Sequence, residues 1–283
     1  MRKFIAAGLI GLASLMLAPA ALAAPHHPTG EWAVFADCPL NRATITDCVY
    51  SETTGGSFKL GSKTVPIEHT VILQGGYEGA GENIKFFGAE DGNTLSKTPQ
   101  AVPGGLAGLV NCKEISNILL RISCEVAFEN GLTGVNATLE LAKPATEIKL
   151  NTEHLLFSAG VALQLPVKVH LENPFLGGSC YVGSSANPLT IPLTTGTSGS
   201  LKGKVGAITF NEEFDKTTVT GGKLVNNTFT APSASGCGGA IVELLIDPII
   251  NGMIGLPNGE GANAATLNAN FEDGAAGSVR ASE

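Results

Sequence analysis

The sequence predicts a mainly β fold, sandwich-like sheets in two weakly repeated halves, with two short helices and disulfides. Three observations predict it. Several segments alternate apolar with polar residues at the two-residue period of a half-buried strand, most strictly Val167-Lys168-Val169-His170-Leu171. Glycine is abundant, at 36 residues, and glycine pairs punctuate the alternating segments. Six cysteines follow a leader that reads as an export signal.

Residues 1–23 form that leader. Arg2 and Lys3 precede an apolar run from Phe4 to Leu17, then Pro19 and Ala21-Leu22-Ala23, which is the order of a secretory signal peptide cut after Ala23. The run is too short for a durable membrane span. The expected mature chain is secreted, extracellular, and either released or held non-covalently. Loss of Arg2 and Lys3 leaves 15 basic against 25 acidic residues, lowering the net charge from −8 to −10. That balance opposes binding to nucleic acid or anionic lipid. At 43% hydrophobic and 15% charged, the composition is that of a folded chain rather than a disordered one.

A first β-rich half is assigned to 24–143 and a second to 144–283. Strands are predicted over Thr64–Leu73 in the first, and over Leu165–Leu171, Leu189–Leu193, Val205–Phe210 and Lys223–Phe229 in the second. Turns are predicted at Thr54-Gly55-Gly56, Gly75-Gly76, Asp91-Gly92, Gly177-Gly178 and Gly221-Gly222. One helix is predicted where Ile115, Ile118, Leu119, Ile122 and Val126 recur at helical spacing. A second runs from Ala240 to about Ile254, with Glu243, Asp247 and Asn251 as a narrow polar stripe. Pro248 should break or restart it, with Asp247 as N-cap. Its other faces are apolar, and it is expected to lie buried against a sheet, because interfacial helices carry cations that it lacks.

The six cysteines, Cys38, Cys48, Cys112, Cys124, Cys180 and Cys237, imply three disulfides in an oxidising compartment. Fifteen connectivities are open, and the favoured one pairs Cys38 with Cys48, Cys112 with Cys124, and Cys180 with Cys237. The middle pair needs a chain that doubles back. Twelve residues of continuous helix span about 18 Å, and a disulfide needs Cα atoms within roughly 7 Å.

Five short matches recur in one order, 122 to 127 residues apart, among them Ser57–Ser62 with Ser179–Ser184 and Gly134–Ala137 with Gly261–Ala264. They suggest a duplicated unit. The phrases His26–Glu31, Val102–Cys112, Phe210-Asn211-Glu212-Glu213-Phe214 and Ser235–Gly239 resemble those of uncharacterised secreted proteins of actinobacteria. The resemblance spans the mature chain and implies export from a Gram-positive-type cell. It implies no activity and no site residues.

No motif assigns catalytic residues. Gly196-Thr197-Ser198-Gly199-Ser200 misplaces a glycine for a nucleophile elbow, and His69 and His170 fall in strand patterns that suit structural histidines. For an acidic hydrolase the candidates are Glu212 or Glu213, with Glu90, Asp91, Glu172 or Asp273 as partner, although Glu90-Asp91-Gly92 and Glu272-Asp273-Gly274 read more simply as turns. Pro25 spoils an amino-terminal copper site at Ala24-Pro25-His26 because it lacks an N–H. No metal site and no cofactor are expected. The composite expectation is a secreted, disulfide-stabilised protein with a non-catalytic structural or binding role at or near the cell envelope, its partner an envelope component. The rival is an extracellular hydrolase whose acidic site is assembled by the fold.

Overall fold

A computed structural model describes residues 26–105, 116–119, 121–122, 134–239 and 243–283. The leader, the Cys112–Cys124 pairing and most of the first predicted helix lie outside these residues. Ile118, Leu119, Arg121 and Ile122 are helical.

In chain order the strands are β1 (Asp47–Leu60), β2 (Lys63–Pro66), β3 (Val71–Glu78), β4 (Lys85–Gly88), β5 (Gln100–Ala101) and β6 (Asn136–Leu141). There follow β7 (Lys149–Leu150), β8 (Leu163–Glu172), β9 (Tyr181–Val182), β10 (Leu189–Leu193), β11 (Thr197–Ser198) and β12 (Leu201–Lys202). The last are β13 (Ala207–Asn211), β14 (Lys216–Asn226), β15 (Ala234–Ser235) and β16 (Ala264–Ala275). Three α-helices are described: α1 (Thr152–Phe157), α2 (Glu243–Ile254) and α3 (Ala276–Ala281). Of these only α2 was expected.

Sheet A runs β13-β14-β16-β1-β3-β4 with β2 on β1, and sheet B runs β15-β9-β8-β6-β5 with β7 and β10 also on β8. All these pairs are antiparallel. The alternation read from the sequence is realised in β8: Leu165, Val167, Val169 and Leu171 are buried, and Lys168, His170 and Glu172 are not. The inner faces meet in one core that includes Val49, Phe58, Phe86, Val167, Val182 and Leu224. The apolar alternation therefore closes two sheets face to face, as expected for a sandwich.

Each sheet draws strands from both halves of the chain. The last strand of the first half, β6, pairs with β8, and the last strand of the second half, β16, pairs with β1.

Gly177-Gly178 lies in a turn as expected, but three other glycine pairs read as turns are strand positions instead. Gly55-Gly56 and Gly221-Gly222 stand at register shifts in β1 and β14, on either side of β16. Gly56 has φ +110°, and a Cβ there would lie 2.0 Å from the Thr266 carbonyl oxygen. Such bulges sharpen the local twist without ending the strand. Gly75-Gly76 lies within β3. Gly76 and Gly274 flank Cys48 in the register, and a Cβ would meet Cys38 Sγ at 3.2 Å from Gly76 and the Trp32 ring at 2.7 Å from Gly274. Both glycines let a second, smaller core of Trp32, Phe35, Cys38, Leu40, Cys48 and Val279 settle on the outer face of sheet A. The Cys38–Cys48 disulfide ties that layer to β1.

Other boundaries shift for identifiable reasons. Thr64–Leu73 divides into β2 and β3 because Gln100 holds an intervening turn, accepting from the Glu68 and His69 amides and donating to the His69 carbonyl. His69 is thus an exposed turn residue, not a strand histidine. Helix α2 runs through Pro248 unbroken. Asp247 does not cap it: its carboxylate accepts from the Gly236 and Cys237 amides at 3.1 and 2.8 Å. Asn251 bonds both backbone groups of Ala234. Asp247 and Asn251 of the polar stripe therefore face β15 and the Cys180–Cys237 disulfide rather than solvent. Ile246, Ile250 and Ile254 are buried, and Leu244 is exposed. These anchors offset the cost of about 3 kcal/mol for proline within a helix.

Candidate ligand-binding face

The outer face of sheet B gathers six side chains of complementary chemistry. Because β8 turns its apolar residues inward, Lys168, His170 and Glu172 stand in a row outside. The register sets Thr138 of β6 and Tyr181 of β9 beside His170, and Glu140 beside Lys168. Glu140 lies 3.1 Å from Lys168 Nζ and 3.6 Å from His170 Nδ1. Glu172 lies 3.7 Å from the same nitrogen and accepts from the Thr138 hydroxyl at 2.6 Å. The His170 and Tyr181 rings stack with centroids 4.4 Å apart, and Lys168 Nζ sits 3.8 Å from the Tyr181 ring centre. Stacking and cation–π contacts of this kind hold side chains in single orientations.

The cluster borders an open groove of about 570 Å³ lined by Gly134, Asn136, His170, Glu172, Asn173 and Gly177, among others. Asn173 fixes its far wall, donating to the Gly134 carbonyl and accepting from the Phe175 amide. His170 Nε2 is enclosed and has no hydrogen-bond partner. The groove thus presents carboxylate, amide and backbone groups already fixed in place, which suits recognition of a polar ligand.

A second polar recess, of about 500 Å³, lies between α1 and the Gly81–Asn83 turn. Asn151 caps α1 by accepting from the His154 amide, and its Nδ2 donates to Glu82 at 3.1 Å. His154 Nε2 is 3.4 Å from Glu82, and its Nδ1 is 3.0 Å from the Val161 carbonyl oxygen.

A third cluster sits on the inner side of sheet A near the end of β1. Tyr77 Oη donates to Asp273 Oδ2 at 2.8 Å, while Asp273 Oδ1 is enclosed without a partner. Burial pushes the Asp273 carboxyl up to about 7; Asp47 and Asp215 push the same way, and the Tyr77 hydrogen bond opposes them. Burial also raises Asp47, and it raises the Tyr77 phenol together with the neighbouring Asp273 and Asp47 charges. Glu272-Asp273-Gly274 is therefore not a turn but the buried-facing end of β16, whereas Glu90-Asp91-Gly92 is a turn.

Glu212 and Glu213 stand exposed in the turn between β13 and β14. The carboxyls considered as their partners lie elsewhere: Glu90 and Asp91 in the loop after β4, Glu172 on sheet B, and Asp273 inside sheet A. Ser198 and Ser200 belong to the β11–β12 hairpin, where Ser198 Oγ and Ser200 Oγ bond Asn227. His26 lies against Glu283 and 3.8 Å from Glu90. Among the described residues no group of three or more His, Cys, Asp or Glu is placed to hold a metal ion, and no helix is long and apolar enough to cross a membrane. Comparison with protein-family models, with curated proteins and with solved structures returns no match.

Proposed function

We propose that this chain is an exported binding protein, without catalysis of its own, that acts at or near the cell envelope through the outer face of sheet B. The observation that carries the reading is the fixed Thr138–Glu140–Lys168–His170–Glu172–Tyr181 network beside an open groove of about 570 Å³. Ordering such side chains before a ligand arrives lowers the entropy lost on binding. The leader, the two disulfides among the described residues and the resemblance to secreted actinobacterial proteins support the location. The test is co-sedimentation of the oxidised mature protein with actinobacterial cell envelopes. Saturable pelleting that His170→Ala and Asn136→Ala weaken at least tenfold is the expected result. Protein that stays in the supernatant, or pelleting that ignores both substitutions, overturns the reading.

The rival, an extracellular hydrolase, draws on Asp273, a carboxyl that holds its proton near pH 7 beside other carboxylates, as a general acid does. Hydrolysis of a glycoside or ester panel that Asp273→Asn abolishes would favour it. We also infer that 24–143 and 144–283 descend from one duplicated unit whose last strands, β6 and β16, exchanged partners. Superposition of residues 57–142 on 179–269 tests this, and unrelated strand orders would sink it.

A further inference from the structure

Among the described residues four strands stand at the ends of the two main strand orders, and three of them are protected. Strands β5 and β15 are two residues long, β5 packs beside β2, and β15 is held by α2. Strand β4 is flanked by β7 and the turn Ala145–Glu147. Strand β13 differs: it is five residues long, every residue is exposed, and among the described residues it pairs only with β14. Ile208 and Phe210 are 49% and 55% exposed, on the same face as Val219 of the inner core. A bare, partly apolar edge is a template for another strand.

We infer that β13 pairs antiparallel with β13 of a second copy, joining two sheets A across a two-fold axis at Thr209. The sequence is self-complementary in that register. Antiparallel pairing about Thr209 sets Ile208 of each copy opposite Phe210 of the other, an aromatic–β-branched pair, and Thr209 opposite Thr209. It works whichever set of β13 backbone groups points outward, because pairing about a central residue is symmetric. The charges flanking the strand agree. Glu212 and Glu213 follow β13, and Lys202 and Lys204 precede it; all four are exposed and, among the described residues, none is ion-paired. The antiparallel register carries the Glu212-Glu213 end of one copy alongside the Lys204 end of the other, twice per dimer. Parallel pairing would instead bring like charges together. An interface of one short strand per copy falls at the small end of specific interfaces, so a dissociation constant in about the micromolar range is expected.

Sedimentation equilibrium of the oxidised mature protein across a concentration series tests the inference. The expected result is reversible monomer–dimer exchange. Phe210→Glu should weaken dimerisation at least tenfold with an unchanged thermal midpoint. Lys204→Glu should weaken it likewise, and the combined Lys204→Glu, Glu212→Lys, Glu213→Lys chain should recover it, which a merely unfolded variant could not do. A wild-type protein that stays monomeric into the millimolar range, or a dimer indifferent to Phe210→Glu, overturns the inference.

Discussion

Two carboxylate clusters in this molecule teach different lessons. On the outer face of sheet B, Glu140 and Glu172 flank His170 and Lys168, so each negative charge has a cation or a hydroxyl donor within reach. At the inner end of sheet A, Asp273 has Asp47 and Asp215 for neighbours and one phenol for a donor. The residue type is nearly the same, and the outcome is opposite. The first arrangement keeps charged, oriented groups in contact with solvent. The second makes the neutral form of an acid part of the folded structure. Burial decides between them, because desolvation penalises the charge that the other cluster offsets with partners.

The largest effect is expected from Tyr77→Phe, which breaks the second cluster. It removes the Tyr77 hydrogen bond to Asp273 Oδ2 and leaves both carboxyl oxygens without a partner among the described residues, Oδ1 enclosed. A loss of about 1–3 kcal/mol follows from stranding a buried polar group. Urea unfolding measures it, and a loss within error would mean that water already serves Asp273.

Asp273→Asn sharpens the comparison through pH. The folded carboxyl titrates at about 7, above the ordinary unfolded value. Between those two values the native state binds more protons than the unfolded state. The stabilisation is therefore complete in acid, is lost as pH rises through about 7, and is gone above it. Wild-type stability should fall between about pH 4 and pH 7 and level off above that. Asparagine can still accept from Tyr77 and carries no charge, so it should flatten that slope and stabilise the protein at pH 8 by on the order of 1–2 kcal/mol. A parallel slope in the variant would place the titration elsewhere.

The two clusters also differ in how far the sequence reveals them. The strict alternation through Val167–Leu171 already sets Lys168, His170 and Glu172 on one face, and half of the six-residue cluster is legible there. Glu140 and Tyr181 join it only through the register of β6 and β9, which no local pattern specifies. Asp273 is hidden for another reason. Asp beside Gly reads as a turn, but Gly274 is glycine because Trp32 and Phe35 rest on it, a contact from more than two hundred residues away. The same cause makes Gly55-Gly56 and Gly221-Gly222 look like chain reversals when they are bulges beside β16. The Cys38–Cys48 and Cys180–Cys237 bonds were legible from cysteine order and compartment. The path of α2 through Pro248 was not, because Asp247 and Asn251 serve β15 rather than the helix itself.

The first cluster should respond more weakly in stability and more strongly in binding. His170→Ala removes a stacked ring from Tyr181 and the group between Glu140 and Glu172. Its packing on one side of a solvated sheet is worth about 1 kcal/mol, and the Glu140–Lys168 pair survives it. Glu172→Gln is milder still, since the side chain is 41% exposed and an ion pair at that exposure contributes at most about 1 kcal/mol. Glutamine keeps an acceptor for Thr138 while removing the charge. If Glu172 serves the groove rather than the fold, this substitution should shift the thermal midpoint by no more than about 1–2 °C yet reduce envelope binding severalfold. Paired thermal melts and sedimentation of the single variant separate the two roles. A binding loss that only mirrors a stability loss would move Glu172 from recognition to support.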